Sequence, residues 1–300
     1  MSNAETTMVA EKQRFSVAIT TKTYKSLINN TLGDPERAKR FVASITSAVA
    51  VNPALQECEA GTILAGALLG ESLNLSPSPQ LGQYYLVPFK AKAKYDRQGN
   101  LIQPEVTKAQ FVLGYKGYIQ LALRSGSYAD LDVMEIKEGE YLGKDSATGK
   151  PRFQFIEDDD LRETLPVVGY MAYFEYLNGF RKVVYWTKTK MMNHADTYSP
   201  AYSAAAHRKI MDGEIADKDM WKYSSFWYKD FDGMAKKTLL RQLISKWGIM
   251  STELQTAYAN DASVAEISDR NDIITTSEDE LELAQPEAVD VVPKIDLSEV

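Results

Sequence analysis

The feature that most constrains the fold of this 300-residue chain is an antiparallel hairpin near its middle. Residues 167–177 and 180–186 are rich in β-branched and aromatic side chains, and the dipeptide Asn178-Gly179 lies between them. Asn-Gly readily adopts the positive φ angles of the tight turns that join antiparallel strands. The same enrichment predicts strands in three further segments, which are residues 84–89, 110–113 and 131–136.

Helices are predicted on both sides of this β-rich region. Asp34 and Pro35 indicate a helix start, because Asp caps free backbone N–H groups and Pro fits the first helical position. Further helices are predicted from about 59 to 73, and as a short crossing helix after Gly114. Residues 230–247 form an amphipathic helix with an apolar stripe and a separate basic side. Helices before and after an antiparallel sheet predict an α+β fold.

Acidic residues are concentrated at the C-terminal end. Residues 261–300 contain twelve Asp and Glu side chains against Arg270 and Lys294, a charge of −10, which leaves +3 for residues 1–260. Two interpretations stay open: the acidic segment competes with a polyanion partner of the basic body, or it only keeps the protein in solution. The composition predicts three regions: a flexible N-terminal arm at 1–20, a core at 21–257 and a disordered acidic tail at 258–300.

Several classes of protein lack their characteristic residues here. The chain has no G-x-x-x-x-G-K-[ST] phosphate loop, which argues against an ATP-driven recombinase or helicase, and no G-x-S-x-G nucleophile elbow. The single cysteine, Cys58, excludes an internal disulfide and is expected to be a buried thiol. His194 and His207 are too few for a Cys/His zinc site, and we expect both on helix surfaces.

Hydrophobic segments are too short for a membrane protein. No stretch approaches the roughly 20 consecutive apolar residues of a membrane span, and the first 15 residues lack the apolar middle of a signal peptide. We therefore expect a soluble, intracellular protein.

Carboxylates offer one enzymatic alternative. Asp132 and Glu135 precede Lys137 in a pattern that faintly resembles the D…E-x-K site of a metal-dependent DNA nuclease. Residues three apart on a strand point to opposite faces, so the two carboxylates cannot easily bind one cation. Charged residues on an exposed strand are the simpler interpretation, and a purely structural interaction protein is a third hypothesis.

Cationic and aromatic side chains are interleaved through the body of the chain. Proteins that bind single-stranded nucleic acid contact phosphates with cations and bases with planar side chains. A single lysine is usually solvated and a single tryptophan usually buried, so it is the grouping that favours DNA binding. The candidate DNA contacts are Lys108, Tyr115, Lys116, Arg124, Arg181, Lys182, Lys188, Lys190, Trp227, Lys236, Lys237 and Arg241.

Three separated sequence blocks carry a family resemblance. They are L-G-Q-Y-Y-L-V-P-F at 81–89, L-G-Y-K-G-Y-I-Q-L-A at 113–122, and Y-K-D-F-D-G-M-A-K-K-T at 228–238. The third block is similar to the signature W-x-x-D-F-D-x-M-A-x-K-T of the RecT family of phage and prophage single-strand annealing proteins. The resemblance covers about residues 35–250, with Gly233 in a position where the family usually has alanine.

This resemblance implies a function without a catalytic group. RecT-like proteins anneal complementary DNA strands in homologous recombination without ATP, and they assemble into rings or helical filaments on DNA. The implied partners are single-stranded and annealed duplex DNA, further copies of the chain, an operon-partner exonuclease and a host single-strand-binding protein. No cofactor is expected to be required, with Mg²⁺ able to modulate annealing, and the location is the cytoplasm of a bacterial host carrying the phage or prophage. Lys236, Lys237 and Arg241 become the first candidates for phosphate contact, followed by Lys116 and Arg124.

Overall fold

The N-terminal region is helical. The structure is a computed structural model, which describes residues 15–96, 98–268 and 272–276. Its first elements are α1 (Phe15–Ala18), α2 (Lys22–Leu32), α3 (Pro35–Val51), a 3₁₀ helix (Pro53–Glu57) and α4 (Ala60–Ser72).

The middle of the chain is mainly strand, with helix α5 between β4 and β5. The elements in chain order are β1 (Tyr84–Ala91), β2 (Lys94–Tyr95), β3 (Leu101–Gln103), β4 (Val106–Leu113), α5 (Tyr115–Arg124), β5 (Tyr128–Lys137), β6 (Tyr141–Lys144), β7 (Pro151–Phe153), α6 (Asp159–Thr164), β8 (Val167–Tyr176) and β9 (Arg181–Thr187).

Helices return after β9, and two strands follow them. The elements are α7 (Lys188–Tyr198), α8 (Ala204–Met211), a second 3₁₀ helix (Asp217–Lys222), α9 (Phe226–Lys229), α10 (Phe231–Trp247), α11 (Thr252–Ala259), β10 (Ser263–Ile267) and β11 (Ile273–Thr276).

Two antiparallel sheets organise these elements. The first has the strand order β1-β4-β10-β11, with Tyr84 opposite Leu113, and the second has the order β5-β8-β9, with Tyr170 opposite Trp186. Two short hairpins, β2-β3 and β6-β7, form separate two-stranded sheets. Helices before and after antiparallel sheets confirm the predicted α+β fold.

Two helices fill much of the interior. Helix α4 packs against β4 and β10, and every residue from Thr62 to Gly70 is buried, as expected for a helix that is apolar on all sides. Helix α10 packs against β5, β8, β9 and α5. Its fully buried side chains include Ala235, Leu239 and Leu243.

The predictions that depend on a turn or on a helix cap are confirmed. The Asn178-Gly179 turn connects β8 to β9, with Gly179 at φ +82° and Asn178 Oδ1 accepting a hydrogen bond from Phe180 N at 3.0 Å. Asp34 caps α3 by accepting from Glu36 N at 2.9 Å. Gly233 lies in the first turn of α10, where a Cβ would be 2.2 Å from the Asp230 carboxylate that caps the helix. Glycine is therefore favoured at position 233 by contact with the cap.

The N-terminal boundary of the core differs from the prediction. Order was expected from residue 21, but α1 precedes it and buries Phe15, and Ile19 is buried as well. Both side chains belong to the main hydrophobic core, so the core includes at least residues 15–20 of the predicted arm. Residues 1–14 lie outside the described residues.

The C-terminal boundary was also predicted too early. The core was expected to end at 257, yet β10 pairs with β4 in the first sheet, and Val264 and Ala265 are buried. This strand has only five residues and lies in a segment rich in carboxylates. The average composition of the segment is therefore acidic and polar, and it does not indicate a strand. Most of the predicted acidic tail, residues 277–300, lies outside the described residues.

Two polar segments contain helices that were not predicted. In the acidic run at 157–160, Asp158 caps α6 by accepting from Leu161 N at 3.0 Å. The polar interval at 198–220 contains α8. Within the part of the chain that the structure describes, no helix is long and apolar enough to cross a membrane.

Candidate nucleic-acid interface

A groove of about 750 Å³ lies beside α10, and we call it the α10 groove. Helix α10 contributes polar side chains to it, the end of β9 and α7 contribute an aromatic wall, and the segment from α11 to β10 forms the opposite wall. The lining residues are Thr238, Arg241 and Gln242 from α10, Trp186, His194 and Tyr198 from the first wall, and Tyr258, Ala259, Asp261 and Ala262 from the second.

The aromatic wall follows from the spacing of its residues. Thr187 caps α7 immediately after β9, so Lys190, His194 and Tyr198 fall at i, i+4 and i+8 on one helix face. The ring centroids of Trp186 and His194 are 5.1 Å apart, and those of His194 and Tyr198 are 4.6 Å apart. The Lys190 ammonium lies 4.3 Å from the centre of the Trp186 ring. The wall therefore combines edge-to-face and tilted aromatic rings with a cation.

Charge and burial both act on the histidine in this wall. Burial lowers the pKa of His194, and the positive charge of Lys190 lowers it further. The imidazole is therefore neutral near pH 7 and behaves as one more aromatic ring. Tyr198 is 73% exposed, so one side of the wall is open to solvent.

A buried carboxylate anchors the opposite wall. The Asp261 side chain, with no exposed surface, accepts hydrogen bonds from Leu113 N at 2.9 Å and from the Tyr118 hydroxyl at 3.0 Å. It also binds Lys237 Nζ at 2.8 Å and Arg241 Nη1 at 2.9 Å. One carboxylate thus joins α10, α5 and β4, and it neutralises one of the two cations it contacts.

Arg241 keeps an accessible surface in spite of this ion pair. Its side chain is 37% exposed, and its guanidinium carbon lies 4.4 Å from the centre of the Tyr258 ring. Burial lowers the pKa of Arg241, but the neighbouring Tyr118 and Asp261 outweigh that effect and raise it. The guanidinium is therefore a permanent cation on the groove side of α10.

A second group of predicted residues meets on the other side of α10. Lys236 Nζ lies 3.0 Å from Glu135 Oε1 and 5.2 Å from the centre of the Tyr115 ring. Burial lowers the pKa of Lys236, but the hydrogen bond and charge of Glu135 raise it overall. Lys116 is exposed beside Gly82 and makes no ion pair with any residue in the described ranges.

Four other candidates are dispersed over the surface. Lys182 covers the Trp247 ring at 3.9 Å, and Lys188 lies 5.9 Å from the Phe231 ring. Arg181 pairs with the Glu175 carboxylate at 2.7 Å. The remaining candidate, Arg124, donates from Nη2 to the Leu73 carbonyl at 3.0 Å.

Three candidates lie in the interior, where direct contact with a strand would require the fold to open. Lys108 is buried and bound to Glu266 of β10, and Lys237 is buried against Asp261. Trp227 packs against Tyr202 and Phe231 and is 6% exposed. The two lysines could not be identified as buried from the sequence, because their partners lie in the segment that was interpreted as a tail.

His207 corrects another expectation. It was expected on a helix surface, but it is buried and its ring contacts Tyr202, Tyr228 and Phe231. Burial lowers its pKa, and the charge of Lys188 does the same, although Asp232 opposes them. The expectation that Cys58 is buried is confirmed.

The aromatic residues of the α10 groove were missed as functional candidates. Trp186, His194 and Tyr198 recur with Lys190 at every fourth position, a spacing that could have indicated one shared face. Tyr258 had no such signal, because α11 approaches α10 only in the tertiary structure.

The nuclease alternative finds no support in the geometry. Glu135 binds Lys236, and Asp132 Oδ1 accepts from the neighbouring Val133 N at 2.7 Å. Among the residues described, no group of three or more His, Cys, Asp or Glu side chains is arranged to hold a metal ion.

Comparison with known proteins identifies the family. An α+β fold with an aromatic and cationic groove is typical of a protein that binds single-stranded nucleic acid. Residues 39–275 match the sequence model of the RecT family. The chain is 34% identical over 252 residues to the uncharacterized protein YqaK of Bacillus subtilis (strain 168), covering 84% of this chain and 72% of that protein. It is 26% identical over 230 residues to Protein RecT of Escherichia coli (strain K12), covering 75% and 71%.

The chain therefore belongs to the RecT family, and the resemblance carried by the three sequence blocks is confirmed. Membership indicates a role in DNA recombination by single-strand annealing.

Proposed function

We propose that this protein binds single-stranded DNA along the α10 groove and anneals complementary strands without ATP in homologous recombination. The observation that carries the proposal is the groove itself, which Arg241 lines together with the exposed ring of Tyr198, and where Lys190 covers the Trp186 ring of the wall. Cations attract the phosphates and rings accept bases, which is the combination that single-strand binding requires.

The cations differ in how much charge they can offer to DNA. Lys116, Lys188 and Lys190 make no ion pair within the described residues, so binding a phosphate there neutralises a free charge and releases counterions. Lys236 is already paired with the Glu135 carboxylate, and Lys237 with the Asp261 carboxylate. We therefore assign the main phosphate contacts to Lys116, Lys188 and Lys190, with Arg241 as a directional donor in the groove.

Annealing of this kind needs no chemical step, so we infer that the protein is not an enzyme. Neighbouring copies in a ring or helical filament would continue the groove and hold one strand extended while a second strand pairs with it. Base pairing supplies the free energy. No cofactor enters the scheme, and Mg²⁺ would modulate annealing by screening the two phosphate backbones.

The cellular setting follows from the family rather than from the geometry. We propose an operon-partner exonuclease that produces single strands, a host single-strand-binding protein that covers them, and action in the cytoplasm of the host bacterium. Membership of the RecT family supports single-stranded DNA as the substrate of these steps.

The acidic C-terminal residues remain a candidate competitor of DNA. Residues 277–300 contain eight Asp and Glu side chains and one lysine. Removal of this segment, rather than of residues 261–300, is the informative deletion, because Asp261 and β10 belong to the core. Tighter DNA binding at low salt after the deletion would support competition, and unchanged binding would favour a role in solubility.

The function is tested by annealing two complementary fluorescent oligonucleotides with the purified protein, without nucleotide, in the presence and absence of Mg²⁺. The same samples are run on denaturing gels. Accelerated annealing with intact strands is the expected result. Shortened strands in Mg²⁺ would favour a nuclease, and intact strands that anneal at the spontaneous rate would overturn the proposal.

A further inference from the structure

We infer that the α10 groove receives unstacked nucleobases of the bound strand, held by contact with the rings of Tyr198 and Tyr258. This inference rests on the proposed function and adds a base-binding role that the phosphate contacts do not require. It concerns four aromatic residues, Trp186, His194, Tyr198 and Tyr258, that were not among the candidate DNA contacts.

The first support is the arrangement of rings on the α7 wall. His194 lies between Trp186 and Tyr198, with centroid distances of 5.1 and 4.6 Å, and Lys190 covers Trp186 at 4.3 Å. Tyr198 ends this series and is 73% exposed. Tyr198 therefore presents an open ring at the edge of the groove, on which an incoming base can stack.

The second support comes from the opposite wall. The Arg241 guanidinium lies 4.4 Å from the centre of the Tyr258 ring and lines the same groove as Tyr198. A guanidinium over an aromatic ring is itself a planar cationic surface, and arginine stacks on bases as well as on rings. Both walls thus offer flat surfaces to a flat ligand.

The size and polarity of the groove fit a nucleobase. Its volume of about 750 Å³ lies within the range of about 300–1,000 Å³ for sites that bind small ligands. Thr238 and Gln242 provide polar groups of both donor and acceptor type, which can meet the edge of any base.

Phosphates would then lie outside the groove, at the free lysines. Lys190 is on the wall, so it can bind the backbone while a base enters between the walls, and Lys188 lies two residues earlier in α7, near Phe231. Only the bases that enter are withheld from pairing. The others stay exposed to a second strand, as annealing requires.

The experiment separates base contact from phosphate contact. The full-length protein and the variants Tyr198→Ala and Tyr258→Ala are titrated with an oligothymidylate and with an abasic oligonucleotide of the same length, at one salt concentration. Each variant is expected to lose about 5- to 150-fold in affinity for oligothymidylate, the range for removal of one stacking ring. Affinity for the abasic strand is expected to change less than about twofold, because its phosphate contacts are intact.

Controls guard against indirect effects. Tyr198→Phe and Tyr258→Phe retain the rings and should retain affinity for oligothymidylate. Tyr95→Ala removes a tyrosine that is 62% exposed outside the groove, and it should bind both strands like the wild type. Thermal unfolding of each variant shows whether Tyr258→Ala remains folded; if it does not, the exposed Tyr198 decides the question alone.

Tryptophan fluorescence provides an independent measurement. Oligothymidylate should quench the emission of the wild type more than the abasic strand does, and Trp186→Phe should remove that difference. Trp221→Phe, which changes a tryptophan that is 73% exposed outside the groove, should preserve it.

The outcomes distinguish this inference from the proposed function. A wild-type protein that binds and anneals DNA, combined with variants that bind oligothymidylate normally or lose both strands equally, would overturn the base-binding role alone. A wild-type protein that binds neither strand would overturn the proposed function.

Discussion

Helices α7 and α10 both carry basic residues, but the two helices use them differently. On α10, Lys236, Lys237 and Arg241 each contact a carboxylate of the fold. On α7, Lys188 and Lys190 lie over aromatic rings and pair with no carboxylate among the described residues. The comparison teaches that a basic residue within a family signature can stabilise the fold, while less distinctive lysines nearby hold the free charge.

The difference has an electrostatic cause. Helix α10 packs against β5, β8, β9 and α5, so a lysine on its inner side loses water and must be paired to remain charged. Helix α7 borders the groove and its lysines stay hydrated. Four experiments test whether the charges of the two helices differ in this way.

The largest effect is expected from two truncations. A chain ending at Asn260 lacks Asp261 and β10, so Lys237 loses its partner and β4 loses a neighbouring strand. We expect it to lose cooperative unfolding, measured by circular dichroism on heating. A chain ending at Thr276 keeps both elements and serves as the control. Similar unfolding of the two chains would show that the segment after α11 is not part of the core.

The next effect is expected from Asp261→Asn. The substitution leaves Lys237 and Arg241 without their shared anion, and breaking a buried ion pair costs about 3–5 kcal/mol. Urea unfolding measures the loss in free energy, with Asp160→Asn on exposed α6 as the matched control. A loss below about 1 kcal/mol, as for a surface ion pair, would contradict the anchoring role of Asp261.

A smaller effect separates the two helices directly. In Lys190→Gln we expect weaker binding of single-stranded DNA, and a slope of log K against log salt that is about 0.7 less steep, the value for one phosphate contact on a single strand. Lys237→Gln should lower thermal stability and leave that slope unchanged, because its charge is already neutralised by Asp261.

The reverse result would restore the original hypothesis. If Lys237→Gln flattened the salt dependence and Lys190→Gln did not, the signature lysine would contact phosphate, and the buried ion pair would have to open on DNA.

The smallest effect is a pKa shift. The unpaired charge of Lys190 lowers the pKa of His194, after burial has already lowered it. Lys190→Gln should therefore raise the pKa of His194, which an NMR titration of the imidazole measures, while Lys218→Gln on the distant 3₁₀ helix should not. An unchanged pKa in Lys190→Gln would show that the lysine charge does not reach the groove wall.

The lowered pKa values of the two histidines also predict how the stability of the fold changes with pH. His194 and His207 bind protons less readily in the folded chain than in the unfolded chain, where the pKa is about 6.5. Their contribution to the free energy of unfolding is complete above about pH 6.5. It is lost as the pH falls through the pKa values that the two histidines have in the folded chain.

Elements defined by neighbouring residues could be predicted from the sequence. The Asn178-Gly179 turn, the Asp34 cap and the i, i+4 stripe of α10 each depend on residues within one turn of each other, and all three are confirmed. Strand β10 could not be predicted, because its stability comes from pairing with β4 more than 100 residues earlier in the chain. For the candidate site, Lys116 and Lys190 were predicted as DNA contacts and are exposed, but the aromatic residues Trp186, His194 and Tyr198 that share a helix face or wall with Lys190 were missed.

The sequence by itself determined the fold class, the family and the presence of many basic and aromatic residues, because these depend on composition, short-range spacing and motif order. The tertiary structure decided which charges are free. Asp261, counted as part of an acidic tail, is the buried partner of Lys237 and Arg241, and Tyr198 and Tyr258 line one groove, which exists only when α7, α10 and α11 are packed together. The reason is physical: a charge or a ring acquires its role from its partners and its exposure to water, and both are set by residues distant in the chain.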